Sequence, residues 1–296
     1  FTQEKGIKMN RPRLILLCGI PGSGKTTYAK TNAFKDDIIL SSDSIRKEFY
    51  GDESIQKNPV EVFTTMQKKA VEALNDGRTV WYDATNMTRK DRSCIINVCP
   101  KFAKIECHII WAPIEVCITR DAARERTVGK EVIDRMLKRF QAPYYDEGIS
   151  KIKVVRPDDF NETMYIRQVL NSAKIPHDNP HHTLSIYDHC MKAYSYGVTK
   201  AFDWDVYSAA LYHDIGKPYV KSFRNTKGEL SDSAHYYQHQ CVSAYMIYGL
   251  GESAIEIAWL VSTHMDPFLD TRYYNRLSPY LRKMIDELHE CDLAAH

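Results

Sequence analysis

The chain has 296 residues, of which 44% are hydrophobic and 26% charged, and its formal net charge is +2. This length predicts two domains of ordinary size, and the composition is that of a globular protein rather than a disordered or fibrous one. No apolar run is long enough to span a bilayer, so we expect no membrane partner. The near-neutral charge neither predicts nor excludes nucleic acid as a partner. Eight cysteines are scattered without a CxxC pair, which indicates reduced thiols and predicts a cytoplasmic protein.

The first part of the sequence alternates short apolar segments with helical patterns. The segments that are typical of buried strands are residues 14–18, 37–40, 79–82, 105–111 and 151–155. The helical patterns between them cover residues 26–31, 60–74, 89–98, 115–124 and 130–140. Strands that alternate with helices predict an α/β fold, a parallel sheet with helices on both faces.

The remainder of the sequence is predicted to be a second, all-α domain. Its helical patterns cover residues 184–196, 206–212, 239–248, 253–262 and 279–292. The polar stretch 171–180, which contains two prolines, is the predicted linker. We therefore expect an α/β domain over 11–170 and a helical domain over 181–296. Residues 1–10 are expected to be a tag or an upstream segment, with Met9 as the natural start.

A phosphate-binding motif follows the first predicted strand. Residues 19–26 read GIPGSGKT and fit G-x-x-x-x-G-K-[ST]. Glycines allow backbone N–H groups to surround a phosphate, the lysine reaches the β- and γ-phosphates, and the last threonine holds Mg²⁺. The sequence thus predicts ATP with Mg²⁺ as cofactor. The expected nucleotide-binding residues of the loop are Gly22, Ser23, Gly24, Lys25, Thr26 and Thr27.

Polar residues at the ends of the next two predicted strands suit an acceptor site. Asp43 and Arg46 follow the second strand, and Asp83 closes the third. Because the carboxyl ends of parallel strands face the ligand crevice, Asp43 could take a hydroxyl proton and Arg46 could hold an acceptor phosphate. Asp83 suits a role as a direct or water-mediated Mg²⁺ ligand. A helix N-cap Asp paired with a surface Arg is the alternative interpretation of Asp43 and Arg46.

Three arginines, Arg120, Arg124 and Arg126, lie near the end of a predicted helix. They suit a mobile lid that closes over ATP, and a solvated basic face is the alternative. Together with the preceding motifs they make residues 12–157 resemble the phage-type polynucleotide 5′-kinase family. The resemblance implies that Asp43 is the general base, Arg46 the acceptor-phosphate ligand and Arg124 the lid arginine. The chain departs from the family pattern at Ser44, where members often carry a second acid.

Histidine is concentrated in the second part of the sequence, since ten of the eleven histidines follow residue 172. Aspartate and histidine recur at intervals of 24, 25, 25 and 28 residues. Each interval is long enough for one helical hairpin, so the residues could converge at the centre of a helical bundle. The members of the series are His189, His213, Asp214, His239, His264 and Asp292. Six such ligands suit two divalent ions, with Asp214 as the bridge.

The adjacent pair His213–Asp214, followed by Ile215, Gly216 and Lys217, resembles the HD phosphohydrolase superfamily, and the likeness covers residues 180–296. It implies a first metal site of His189, His213, Asp214 and Asp292, completed by a second at His239 and His264. The expected ions are Mn²⁺, Co²⁺, Ni²⁺, Fe or Mg²⁺. Lys217 either contacts a substrate phosphate in catalysis or complements the charge of a helix end. His181, His182 and His235 are expected near the site or on the surface, not as ligands.

These observations predict a bifunctional enzyme that repairs the ends of broken RNA or DNA strands. The kinase phosphorylates a 5′-hydroxyl, the HD domain removes a 3′- or 2′,3′-cyclic phosphate, and a nucleic-acid ligase acts downstream. Three alternatives stay open. They are a nucleoside-salvage kinase joined to a nucleotidase, a cyclic-nucleotide phosphodiesterase, and a regulatory protein that senses ATP.

Overall fold

A five-stranded parallel sheet forms the first half of the molecule. The computed structural model describes residues 11–179 and 183–296, so the predicted tag region and the predicted surface residues His181 and His182 lie outside the described residues. The strands are β1 Arg13–Cys18, β2 Ile38–Ser41, β3 Val80–Asp83, β4 Lys104–Ile110 and β5 Lys151–Val155. They are ordered β2-β3-β1-β4-β5. The predicted strand segments are confirmed to within one or two residues at each end.

Helices cover both faces of this sheet, as the sequence predicted. They are α1 Lys25–Asn32, α2 Ser42–Tyr50, α3 Pro59–Asn75, α4 Arg89–Ile96, α5 Ile114–Ala122, α6 Lys130–Leu137 and α7 Glu162–Ser172. Along β1, Leu14 and Leu16 pack into one core, whereas Ile15 and Leu17 pack into a smaller one on the opposite face. A strand buried on both faces needs such a continuous apolar run.

The helical half, residues 183–296, follows the predicted pattern. Its helices are α8 Ile186–Thr199, α9 Trp204–Tyr212, α10 Lys217–Val220, α11 His239–Ile247, α12 Ile255–Thr263, α13 Asp266–Leu269, α14 Thr271–Tyr274 and α15 Pro279–Ala294. The sequence analysis missed one feature, the antiparallel hairpin of β6 Ser222–Arg224 and β7 Leu230–His235. Leu230 is 78% exposed, so the hairpin has little of the buried, alternating pattern that identifies strands in a sequence. No helix within 11–179 or 183–296 has the length and hydropathy of a membrane span.

Of the predicted linker, residues 171–180, the structure describes residues 171–179, and part of this segment packs against α8. Its first two residues belong to α7, and Ala173 is fully buried against Ile186 and Cys190 of α8. His177 is also buried, and one of its ring nitrogens lies 3.0 Å from the carbonyl oxygen of Leu184.

Candidate active sites

The phosphate-binding loop connects the end of β1 to the start of α1 and lies tightly against α5. Gly22 has a φ of +81°, and a Cβ added to it would lie 2.2 Å from the carbonyl oxygen of Cys117. Only glycine fits this close approach. Ser23 is buried, whereas Thr27 is exposed on the first turn of α1. The loop therefore has the close backbone path that a phosphate cradle needs.

Lys25 points back into this loop. Its Nζ donates hydrogen bonds of 2.9 Å to the carbonyl oxygens of Gly19 and Ile20. Burial lowers the pKa of Lys25, the carboxylate of Asp83 opposes that shift, and the guanidinium of Arg124 adds to it. The amine is thus held beside the backbone groups that would surround a phosphate.

Thr26 and Asp83 meet where the loop faces the end of β3. The hydroxyl of Thr26 donates a 2.7 Å hydrogen bond to Oδ2 of Asp83. Burial raises the pKa of Asp83, while the hydrogen bond from Thr26 and the charge of Lys25 lower it. Hydroxyl and carboxylate oxygens are ligands that Mg²⁺ prefers, so this pair fits the predicted Mg²⁺ role.

Asp43 lies in the first turn of α2, within reach of two arginines. Arg46 is buried and donates a 2.8 Å hydrogen bond to Oδ1 of Asp43. Arg126 lies 3.8 Å from the same oxygen and 3.4 Å from Glu53. The carboxylate of Asp43 remains about half exposed, so a substrate hydroxyl could approach it. This geometry suits a base that is oriented by one arginine and open to an acceptor.

The loop that carries the arginines is folded by a residue that the sequence analysis missed. The predicted helix ends early, at Ala122, because the buried Asp121 accepts hydrogen bonds from the Thr127 hydroxyl and from the backbone N–H groups of Val128 and Gly129. These bonds turn the chain back on itself. Arg120 and Arg124 are exposed, and of the three predicted lid arginines Arg126 is the one that reaches Asp43. No local pattern around Asp121 distinguishes it from a surface aspartate.

The six predicted metal ligands converge at the centre of the helical half. They come from α8 (His189), the end of α9 (His213 and Asp214), the start of α11 (His239), the end of α12 (His264) and α15 (Asp292). Their ligand atoms form two groups, each within 4.8 Å: His189 with His213 and Asp292, and Asp214 with His239 and His264. Five of the six residues are buried, and Asp292 is partly buried.

The histidines of this centre are oriented for metal binding. The Nδ1 atoms of His213, His239 and His264 each lie 2.8–2.9 Å from the carbonyl oxygen three residues earlier in the chain. A ring whose Nδ1–H is donated to a carbonyl presents the lone pair of Nε2 to the other side. Nε2 of His189 and Nε2 of His213 are 3.3 Å apart, and Oδ1 of Asp292 lies 2.9 Å from the first of them. The donor set and its orientation fit divalent ions.

Asp214, a member of the second group, also contacts the first group. Its Oδ2 lies 3.3 Å from Nε2 of His213, and its Oδ1 lies 3.1 Å from Nε2 of His239. Lys217 is also buried, with its Nζ 2.6 Å from Oδ2 of Asp214. Burial alone raises the pKa of Asp214, but the charges of His213 and Lys217 outweigh it and hold the pKa well below its ordinary value. The carboxylate is therefore ionised and faces both groups, as a bridging ligand must.

His177 and His296 adjoin this centre, although the sequence analysis gave neither a role. The ring of His177 lies edge-on to that of His189, with centroids 5.5 Å apart, and burial lowers the pKa of His177 to about 4. Nε2 of His296 lies 3.8 Å from Oδ1 of Asp292. His235 stacks on Tyr237 and is not among the clustered ligands. The spacing series does not include His177, which reaches the centre from the segment before α8.

Each half of the chain matches a known domain family. Residues 14–143 match the model of a family described as an AAA domain, and residues 186–294 match the HD domain family. Together with the geometry above, these two matches indicate that the chain is an enzyme with a P-loop site and an HD centre.

Three proteins are similar to part of this chain. L-seryl-tRNA(Sec) kinase of Methanococcus maripaludis is 30% identical over 139 residues, 44% of this chain and 53% of the relative. Arabidopsis thaliana transcription factor bHLH140 is 26% identical over 160 residues, 51% of this chain and 17% of the relative. The solved "Structure of the Pnkp1/Rnl/Hen1 RNA repair complex" is similar at 24% identity and a TM-score of 0.37, over 43% of this chain and 42% of that one. The chain thus spans about half, or less, of the length of these relatives.

Proposed function

We propose that this chain, in which an AAA domain with a P-loop is joined to an HD domain, is a bifunctional enzyme that heals the ends of broken nucleic acid. The sheet half transfers the γ-phosphoryl group of ATP to a 5′-hydroxyl end. The helical half hydrolyses a 3′-phosphate or a 2′,3′-cyclic phosphate. Cleavage of RNA through its 2′-hydroxyl leaves these two kinds of end, so one enzyme would correct both products of one break.

The observation that carries this proposal is the presence, in one chain, of two groups of residues that each suit phosphate chemistry. The P-loop site contains a lysine, a Thr–Asp pair for Mg²⁺ and an exposed carboxylate beside an arginine. The HD centre contains six clustered ligands and a lysine. An exposed base beside a buried arginine suits an acceptor that carries both a hydroxyl and a phosphate, as a nucleic-acid end does.

In the proposed kinase reaction, Asp43 accepts the proton of the 5′-hydroxyl as its oxygen attacks the γ-phosphorus. Arg46 orients Asp43 and holds the phosphate that follows the terminal nucleoside. Lys25 and the lid arginines, Arg124 and Arg126, balance the charge of the transferred group. These roles correspond to those implied by the resemblance to polynucleotide kinases, with Arg126 as a second candidate for the lid arginine.

In the proposed hydrolysis, the six clustered residues would hold two divalent ions, with Asp214 as the shared ligand. Such ions would supply the Lewis acidity that a phosphoryl displacement needs. Lys217 lies beside Asp214 and is placed to neutralise a phosphate oxygen of the substrate. His177 and His296 border His189 and Asp292 and would restrict the movement of these ligands.

The acceptor is proposed to be RNA. The relative from Methanococcus maripaludis is named as an L-seryl-tRNA(Sec) kinase, and similarity to a kinase named for a tRNA-borne substrate supports an RNA acceptor. We further propose that the chain works in the cytoplasm and that a nucleic-acid ligase joins the ends it has healed. The HD ions are proposed to be transition metals, because imidazole ligands favour them over Mg²⁺.

End-labelling assays on matched RNA and DNA strands test the kinase, and phosphate release from 3′-phosphate and 2′,3′-cyclic ends tests the hydrolase. We expect both activities on oligonucleotides, with RNA preferred. Phosphorylation of free nucleosides but not of oligonucleotides would overturn the proposal in favour of a salvage enzyme. Hydrolysis of cyclic mononucleotides without any kinase activity would favour a phosphodiesterase.

A further inference from the structure

A cleft of about 850 Å³ lies along the seam between the sheet half and the helical half. Arg135, Lys138, Arg139 and Gln141 line it from the sheet half, and Gln238 and Cys241 line it from the helical half. The volume is within the range of ligand sites. Neither of the two proposed reactions uses this cleft.

The cleft is basic, and its positively charged side chains are not neutralised by acidic partners among the described residues. Arg135, Lys138 and Arg139 are spaced i, i+3 and i+4, which places them on one side of α6 and its C-terminal end. None of the three forms an ion pair with another residue in the ranges 11–179 and 183–296. Asp134, which also lines the cleft, is neutralised by Lys130 at 2.6 Å and accepts a short hydrogen bond from the hydroxyl of Tyr219. Glu131 is the other acidic side chain in the lining.

The cleft lies beside elements that carry residues of the HD centre. Gln238 lines the cleft and directly precedes His239, a predicted metal ligand. Helix α6 packs directly against α11, which begins at His239. On the other side, Asp134 contacts Tyr219 of α10, the helix that also carries Lys217. The cationic wall therefore adjoins α11 and α10, two of the helices that carry residues of the HD centre.

We propose that this cleft binds the sugar-phosphate backbone of a single nucleic-acid strand whose 3′ end lies in the HD centre, an inference that rests on the proposed function. Arginine and lysine neutralise backbone phosphates, while the amides of Gln141 and Gln238 donate hydrogen bonds to phosphate or sugar oxygens. The cleft is too small to enclose a duplex. It would give the hydrolase a preference for strand ends over free nucleotides.

Binding of a strand tests the cleft without any need for catalysis. The probe is a fluorescent single-stranded RNA decamer with phosphates at both its 5′ and 3′ ends, followed by anisotropy over a series of salt concentrations. We expect the combined variant Arg135→Ala, Lys138→Ala, Arg139→Ala to bind about tenfold or more weakly. The slope of log K against log salt should fall by about 2, since each lost contact to a single strand removes about 0.7.

A matched control variant removes three positive charges outside the cleft. The sheet half also carries three exposed lysines near the points where β4 and β5 begin, Lys101, Lys104 and Lys151. Their combined replacement by alanine should leave the affinity and the salt slope close to those of the wild type. If the two triple variants bind equally well, the cleft is not the strand site and the inference is overturned.

Hydrolysis then separates strand binding from damage to the HD centre. In the cleft variant, KM for the 3′-phosphorylated decamer should rise about tenfold with kcat unchanged, and kcat/KM for a 3′-mononucleotide should not change. An equal loss on both substrates would contradict the inference, because the residues would then serve the centre itself. A wild-type protein that binds the strand through this cleft but releases no phosphate would refute the end-healing function and leave the cleft assignment in place.

Discussion

The amine of Lys25 illustrates how one side chain is positioned for chemistry before any substrate is bound. Two carbonyl oxygens hold it within the loop, so little reorganisation is needed for it to reach a phosphate. Lys25→Ala should lower the kinase rate by about 10² or more, because the charge acts where negative charge shifts in the transition state. Phosphate release by the HD centre should continue. End labelling and phosphate release measured on one preparation provide the check, and an equal loss of both activities would contradict the separation of the sites.

Substitutions at Asp43 and Arg46 test the proposed general base and the proposed acceptor-phosphate ligand. Asp43→Asn retains the shape of the side chain but loses its basicity. A general base typically contributes about 10²–10⁴ to the rate of the chemical step. The variant should bind ATP normally and transfer almost no phosphate. Arg46→Ala should raise KM for the acceptor strand more than KM for ATP, because Arg46 contacts Asp43 and is proposed to hold the acceptor phosphate. Full kinase activity in Asp43→Asn would remove the base assignment.

The proposed two-ion centre depends on Asp214. Two divalent ions held by neighbouring ligand groups would repel each other unless an anion lies between them. Asp214→Ala should therefore empty both sites and abolish phosphate release, whereas His264→Ala should lose mainly the ion near His239. Metal analysis of the purified variants measures directly how many ions each one binds. EDTA should stop the hydrolase, and Mn²⁺, Co²⁺ or Ni²⁺ should restore it. A single ion in the wild type, with His239 and His264 not bound to it, would rule out the two-ion arrangement.

At the scale of elements, Gly216 determines how closely the His–Asp turn approaches α11. A Cβ at this position would lie 2.6 Å from the backbone nitrogen of Ser243 and 2.7 Å from the carbonyl oxygen of His239. Gly216→Ala should separate Asp214 from His239, destabilise the protein by about 1–3 kcal/mol and strongly reduce phosphate release. Thermal unfolding and activity together measure both effects.

Gly228, in the turn between β6 and β7, supplies the control for Gly216. It has a φ of +82° and open space around its missing Cβ. Gly228→Ala should cost about 1–2 kcal/mol through backbone strain and leave the HD activity intact. If both variants lost phosphate release to the same extent, close packing of the turn on α11 would not be the reason for the glycine.

The sequence predicted those elements and sites that depend on local patterns. The run before Gly19 identified β1, and the regular intervals between His189 and Asp292 predicted that distant ligands would meet. Contacts between distant segments left no such pattern. Arg92, for example, is fully buried and forms a 2.7 Å ion pair with Glu147, and nothing near either residue indicates its partner. The seam between the halves was not predicted for the same reason.

At the scale of the whole molecule, the two halves share one core. Trp111, which follows β4, donates a 2.8 Å hydrogen bond from its indole to the carbonyl oxygen of Tyr245 in α11. The hydroxyl of Tyr245 in turn donates to the carbonyl oxygen of Ala112 at 3.0 Å. Tyr144 stacks on Trp259 of α12. Such buried aromatic contacts make the seam resemble a domain interior, so the halves should unfold together.

An ion pair across this seam tests that coupling. Arg89 of α4 lies 2.8 Å from Asp266 of α13 and stacks over the ring of Tyr273, and both charged side chains are nearly buried. Arg89→Ala leaves Asp266 buried without its partner, so it should cost about 3–5 kcal/mol. Lys69→Ala breaks the exposed pair with Glu48 instead and should cost less than about 1 kcal/mol. Calorimetry should show one transition for the wild type and for both variants, at a markedly lower temperature for Arg89→Ala. Kinase and phosphate-release activities should be lost together on heating, because the shared core should unfold in one cooperative transition. Two transitions, of which Arg89→Ala moves only one, would show instead that the halves are energetically independent.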